Sequence, residues 1–234
     1  MRKRRGRGGE EGEEDQVMSG VLTIGAASGG HLILLGDSNF HYNDASTWWR
    51  FLPWSPFSKW SVSDHVKEKS PSTMSAIGWR RVGCSEYEKM ALVSVLDLVR
   101  KDTTVVIMCG QNDALDFTKW RAGRQLTCKE VKRFEAHVAK HYLELLALLE
   151  RYRYVKIIKL CEPFDHSEAH MFHPSYLTLV EVLRSVVRTI VSMRSRCHLI
   201  QWVPADGAYL KDKMHLTGWG RVAFATHILD GLYC

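Results

Sequence analysis

The fold of this chain is decided by residues 31–39, which read HLILLGDSN. Four consecutive aliphatic residues at 32–35 are typical of a strand that is buried on both faces of a parallel sheet. Asp37 and Ser38 follow almost at once, so that a hydroxyl stands where the predicted strand ends. Ligands of open α/β sheets bind at the carboxyl ends of the strands, and this position therefore predicts a functional edge.

Further apolar runs alternate with amphipathic stretches along the rest of the chain. The predicted strands are 31–37, 73–82, 103–109, 154–161 and 197–203. Helical periodicity predicts helices at 85–101, 127–151, 174–194 and 217–231. Two of these helices begin with a capping box, in which Ser or Thr is followed three residues later by Glu. Alternation of this kind predicts a parallel sheet that is covered by helices on both faces.

The first 28 residues differ in composition from the rest of the chain. They are rich in Gly, Arg and Glu and lack periodic apolar positions, which predicts a disordered head over 1–28. Its basic residues would allow contact with nucleic acid, but a solvated tail is the favoured interpretation. The folded domain is expected over 29–234, with an aromatic-rich insertion around 40–79 that holds five of the eight Trp residues. Burial of a small core within the insertion is favoured over a platform for sugars or acyl chains.

Bulk composition indicates one globular domain of ordinary size. The chain has 234 residues, of which 45% are hydrophobic and 25% charged, and its mean hydropathy is −0.20. No apolar run approaches the ~20 residues of a membrane helix, and acidic residues follow the basic N-terminus where a signal peptide would be apolar. The six cysteines form no C-x-x-C pair, which favours free thiols inside the cell, in the cytoplasm or alternatively the nucleus. Five basic and five acidic residues cancel within 1–15, so the net charge of +6 belongs to the folded part.

Residues suited to nucleophilic catalysis follow the predicted strands. Ser38 needs a base to remove its proton during attack, and His215 is the candidate because imidazole titrates near neutral pH. Asp212, three residues earlier, would orient the imidazole. The developing oxyanion needs donors, for which the Ser38 backbone, a glycine N–H from 78–83 and the Asn112 side-chain amide are the candidates.

Three blocks together resemble the SGNH (GDSL-type) hydrolase family. Gly36-Asp37-Ser38-Asn39 resembles its nucleophile block, Gly110-Gln111-Asn112-Asp113 its G-x-N-D block, and Asp212-x-x-His215 its terminal block. The resemblance spans residues 31–231, with Gly83 as the preferred oxyanion glycine and Gly78 as the second choice. It implies a three-layer, flavodoxin-like α/β/α fold with about five parallel strands. It also implies hydrolysis of carboxylic esters without a metal or another cofactor, on a small-molecule, carbohydrate or lipid ester. Asp37 and Asp113 are expected to fix loop geometry.

Other functions and sites remain open at this point. An acyltransferase would use the same residues, and a catalytically silent module of mobile-element or viral type would bind nucleic acid or protein through its basic surface and head. His137 and His141 share a helix face at a spacing suited to zinc, but a third ligand is not evident. The histidine-rich segment 165–173 is a second candidate metal or gating site, for which a solvated loop is favoured.

Overall fold

The structure is a computed structural model of the chain. It describes residues 22–25, 30–36, 73–119, 124–164, 174–203, 217, 220, 223, 224 and 226–228. Ser38, Asp212 and His215 lie outside the described residues, as do most of the predicted head and the greater part of the aromatic-rich insertion.

One six-stranded sheet forms the centre of the described part. Its strands are β1 (Leu22–Gly25), β2 (His31–Gly36), β3 (Thr73–Gly78), β4 (Thr103–Met108), β5 (Val155–Cys161) and β6 (Cys197–Ile200). The strands lie in the order β1-β3-β2-β4-β5-β6. Strands β2 to β6 are mutually parallel, which confirms the predicted five-stranded parallel sheet.

The strand β1 corrects the predicted boundary of the head. It pairs antiparallel with β3, with Leu22 opposite Ala76 and Gly25 opposite Thr73. Residues 22–25 therefore belong to the sheet, although they were assigned to the disordered head. Four residues are too few to show a periodic pattern. The strand is stabilised by its backbone pairing with the edge of β3.

The strand order places a crevice at the carboxyl end of β2. The chain passes from β2 to β3 on one side and then crosses to β4 on the other side of β2. Connections that leave a strand in opposite directions create a topological switch point, where ligands of open α/β sheets bind. In this chain β2 leads directly into the segment that contains Ser38.

Four helices are described in full. They are α1 (Glu86–Leu98), α2 (Gln111–Lys119), α3 (Cys128–Glu150) and α4 (Pro174–Ser192). Ser85 and Thr127 close capping boxes at the starts of α1 and α3, as the sequence predicted. The helix α2 was not predicted, and the helical residues described between 220 and 228 agree with the predicted last helix.

Burial of the central strands shows that both faces of the sheet are covered. All six residues of β2 are buried, and successive residues of a strand point to opposite faces. On one face Ile33 and Val105 belong to a core that includes Leu92, Val138 and Leu183 of α1, α3 and α4. On the other face Leu32 and Leu34 are buried outside that core. A separate aromatic cluster joins three residues, with ring centroids 4.9 to 5.3 Å apart: Phe164, Trp202 and Phe224. The protein is thus an α/β/α sandwich.

Candidate active site

The carboxyl ends of three neighbouring strands define the candidate site. Gly36, at the end of β2, pairs with Gly78 of β3 and with Met108 of β4. The backbone N–H of Trp79 donates to the carbonyl of Gly36 at 2.7 Å. Ser38 follows Gly36 by two residues in the sequence, so the residues at these strand ends are the described candidates for its neighbours.

Gly110 makes the turn from β4 into α2. Its φ is +101°, a conformation that residues with a side chain rarely adopt. A Cβ atom at this position would lie 2.8 Å from Cδ1 of Leu183, so no space for a side chain exists either. The Ala114 N–H donates to the Gly110 carbonyl at 3.1 Å and closes the first turn of α2. Gly110 thereby places Asn112 in the first turn of α2, which follows the carboxyl end of β4.

Asn112 contacts the segment that joins β3 to α1, here called loop 79–85. Its half-buried side chain donates from Nδ2 to the Arg80 carbonyl at 3.2 Å. An amide group has two N–H donors, and this bond uses one of them. The orientation of the amide is therefore fixed while a second donor remains.

Asp113, the next residue, holds the same loop. Its side chain is 7% exposed, and Oδ2 accepts from the Val82 N–H at 2.9 Å. Burial raises the pKa of this carboxyl, and the hydrogen bonds from Val82 and His137 act in the opposite direction. Nε2 of His137 lies 3.4 Å from Oδ1. Asp113 thus fixes loop geometry, as expected from the sequence.

Two more side chains place loop 79–85 between α2 and α3. Arg81 forms an exposed ion pair with Asp116, one turn further along α2. On the other side, a Cβ atom at Gly83 would lie 3.2 Å from Nε2 of His141 on α3. The loop therefore passes close to α3 at a residue that has no side chain. The Gly83 N–H donates no hydrogen bond to any described residue.

A cleft of about 480 Å³ lies beside this loop, between α1 and α3. Gly83, Cys84 and His141 line it together with apolar residues of α3. Nδ1 of His141 lies 2.9 Å from a carboxylate oxygen of Glu144. Burial, with a contribution from Glu88, raises the pKa of Cys84 to about 11. The thiol is therefore protonated at neutral pH and is not a competing nucleophile.

The two histidine clusters considered as possible metal sites differ in how far the structure describes them. The His137 and His141 rings lie edge to face with centroids 4.6 Å apart. Within the described part of the chain, no three His, Cys, Asp or Glu side chains are arranged to hold a metal ion. Segment 165–173 lies outside the described residues.

The terminal block is described only downstream of His215. The Gly220 N–H donates to Oγ1 of Thr217 at 3.0 Å, which is the contact of a helix N-cap. Phe224, later in the same helical segment, packs on Phe164 and Trp202. Phe164 and Trp202 follow the carboxyl ends of β5 and β6. The helical segment that contains Phe224 is therefore packed beside these strand ends.

Comparisons with known proteins bear on the fold. No protein-family model and no curated protein matches the chain. One solved structure aligns over 88% of this chain and 97% of its own length, with a TM-score of 0.54 and 13% identity. LAE5, an alpha/beta hydrolase enzyme from the metagenome of Lake Arreo in Spain, aligns over 89% and 97%, with a TM-score of 0.50 and 17% identity.

A third structure, provisionally named a platelet activating factor from Streptococcus pneumonia, aligns over 89% and 86%, with a TM-score of 0.49 and 14% identity. The chain has an α/β fold. At these identities the likeness concerns the fold. None of the described helices is both long enough and apolar enough to span a bilayer.

Proposed function

We propose that this chain is a serine ester hydrolase of the SGNH type. The observation that supports the proposal is that Asn112 and Asp113 of α2 hydrogen-bond to loop 79–85, which contains Gly83. This contact lies near the strand ends where β2 leads into Ser38. Two donors of different kinds, a side-chain amide and a glycine N–H, belong to residues that are fixed near the carboxyl edge of the sheet. Such preorganisation is what an oxyanion requires.

The proposed chemistry begins with attack of the Ser38 hydroxyl on the ester carbonyl. His215 removes the hydroxyl proton and later transfers it to the leaving alcohol, while Asp212 orients the imidazole. The backbone N–H groups of Ser38 and Gly83 and the second N–H of Asn112 stabilise the oxyanion. Water then attacks the acyl-enzyme, with His215 again as the base, and releases the acid.

Gly83 is preferred to Gly78 as the oxyanion glycine. Gly78 is the last residue of β3 and pairs there with Gly36. Gly83 lies in a loop that is fixed on both sides, and its N–H makes no hydrogen bond within the described structure. A fixed donor without a partner meets the requirement that the site be ready before charge develops.

The test is hydrolysis of p-nitrophenyl acetate by Ser38→Ala. The proposal expects kcat to fall by ~10³ or more, because a hydroxyl nucleophile cannot be replaced by a methyl group. Ser94→Ala is the matched control, since that exposed hydroxyl only donates to the Met90 carbonyl within α1. If Ser38→Ala turns over as fast as Ser94→Ala, the proposed nucleophile is wrong.

A further inference from the structure

The three loops that lead into β4, β5 and β6 share a basic composition. They comprise residues 99–102, 151–154 and 193–196, and each contains two cationic residues. The six cations are Arg100, Lys101, Arg151, Arg153, Arg194 and Arg196. The only acidic residue in the same twelve positions is Asp102. We refer to the six cations as the basic edge.

The strand order makes the basic edge one continuous surface. Strands β4, β5 and β6 are parallel neighbours, so the loops that precede them lie side by side at the amino edge of the sheet. The Thr103 N–H donates to the Tyr154 carbonyl at 2.7 Å and joins the first two loops. Nη1 of Arg194 lies 2.6 Å from a carboxylate oxygen of Glu150 and joins the last two.

Among the described residues, cations outnumber carboxylates at this edge. Lys156 of β5 adds a seventh cation, and three carboxylates face the group. These carboxylates are Asp97, Asp102 and Glu150. Within the described part of the chain the edge therefore holds seven cations and three carboxylates, in a chain whose net charge is +6. Such a concentration attracts a polyanion.

Stabilisation of helix ends accounts for only part of the basic edge. Arg100 donates to backbone carbonyls of Asp97 and Val99 at the end of α1, which is a helix-capping role. Arg151 and Arg196 are exposed, and within the described part of the chain neither has an ion-pair partner. Their charges therefore face solvent without a structural use.

The chemistry of the edge favours nucleic acid over a lipid surface. Five of the six cations are arginines, and the planar guanidinium group binds phosphate oxygens in a bidentate manner. Tyr152 and Tyr154 alternate with Arg151 and Arg153, and the Arg153 guanidinium lies 4.7 Å from the centre of the Tyr154 ring. Both tyrosines are half-buried against the core, so each ring leaves only part of its surface exposed. Arginines beside exposed aromatic surface are typical of sites that follow a phosphate backbone and stack bases.

We propose that the basic edge binds the phosphate backbone of single-stranded nucleic acid. The edge lies at the amino ends of the strands, whereas Ser38 follows the carboxyl end of β2 in the sequence. Of the six cations, only Arg151 also lines the cleft between α1 and α3. This inference does not rest on the proposed esterase activity.

The experiment measures binding of a fluorescein-labelled oligouridylate of about 20 nucleotides by fluorescence anisotropy of the full chain. Arg153→Glu/Arg196→Glu is compared with Lys132→Glu/Arg133→Glu, an equal charge change on the exposed face of α3. The edge variant should bind about tenfold or more weakly than the control variant. Its dependence on salt concentration should also be shallower, by about 1.4 in the logarithmic slope, because each phosphate contact contributes about 0.7.

Three further measurements show whether a loss of oligouridylate binding is specific to the basic edge. Circular dichroism should show that both variants are folded, and p-nitrophenyl acetate hydrolysis should not differ between them, because the edge lies at the amino ends of the strands. Equal oligouridylate affinities of the two variants would overturn the proposal. The proposal would also be overturned if the unchanged protein bound phosphatidylserine vesicles but not oligouridylate, and if the edge variant lost the binding to vesicles.

Discussion

Removal of the Asp113 carboxylate tests how the candidate active site is held together. In Asp113→Ala the buried Val82 N–H loses its acceptor, and a buried donor without a partner costs about 1–3 kcal/mol. Part of this cost is offset because the variant no longer buries a carboxyl whose pKa is raised by burial. We expect a loss of about 2 kcal/mol in the free energy of unfolding. Asp113→Asn keeps an oxygen for Val82 and should lose less than about 1 kcal/mol.

Urea unfolding measures this series, and Asp116→Ala is the control. Asp116 belongs to the same helix and contacts the neighbouring Arg81, but its ion pair is exposed and should contribute about 0–1 kcal/mol. Under the proposed function, Asp113→Ala should also lower kcat for p-nitrophenyl acetate with little change in KM, because the loop positions a donor that acts in the transition state. If Asp113→Ala unfolds at the same urea concentration as Asp116→Ala, the carboxylate does not anchor the loop.

Asp113 also predicts a pH dependence. Because the folded-state pKa is raised above the unfolded value of about 3.8, the folded protein retains this proton to a higher pH than the unfolded chain. The contribution of Asp113 to stability is therefore greatest in acid and falls as pH rises through that window. Relative to the wild-type protein, Asp113→Asn should gain stability from pH 3.8 upward, and an unchanged difference across this range would contradict the assignment.

The remaining predictions concern single residues in the fold and the site. Gly110→Ala combines an unfavourable φ with a close contact to Leu183. Thermal unfolding should show that the free energy of unfolding falls by about 2–4 kcal/mol. A melting temperature equal to that of the wild type would refute the assigned conformation. Asn112→Ala should lower kcat by ~10²–10³ with KM little changed, and an unaltered rate would remove this amide from the proposed oxyanion site. Burial and the nearby Lys101 lower the pKa of His31 from 6.5 to about 4. Between these two values the unfolded chain binds a proton that the folded protein does not, so stability is lost as pH falls from 6.5 to about 4. His31→Gln should lose less stability over that interval in urea titrations, and an equal loss in both proteins would show that another group is responsible.

Local chemistry explains why much of the fold was predictable. Capping boxes are complete within four residues, so Ser85 and Thr127 mark the starts of α1 and α3 without reference to the rest of the molecule. Strands β2 and β4 were equally clear because burial on both faces demands an unbroken aliphatic run. Both kinds of signal are carried by neighbours in the sequence.

The elements that were missed depend on distant contacts. Strand β3 was predicted to continue to residue 82, but it ends at Gly78 because Arg80 and Val82 turn away to bond with α2. The helix α2 starts with Gln, Asn and Asp, which are residues typical of a loop. It forms because Gly110 supplies the turn and because its first turn bonds to loop 79–85. No short-range pattern contains this information.

The candidate site shows the same division between local and distant signals. Glycine, asparagine and aspartate of the G-x-N-D block were found from sequence, and the expected loop-fixing role of Asp113 agrees with its bond to Val82. The packing of His141 against Gly83 was not anticipated, because residues 83 and 141 meet only when α3 covers the sheet. The spacing of His137 and His141 suggested a metal, whereas their partners in the structure are Asp113 and Glu144.

The most direct test of the account is covalent labelling by a fluorophosphonate probe, with the modified residue identified by mass spectrometry. The probe reacts with a serine hydroxyl that a neighbouring base activates. We expect a single adduct on Ser38, lost in Ser38→Ala and strongly reduced in His215→Ala. An adduct on a different serine, or undiminished labelling of Ser38 when His215 is replaced, would contradict it.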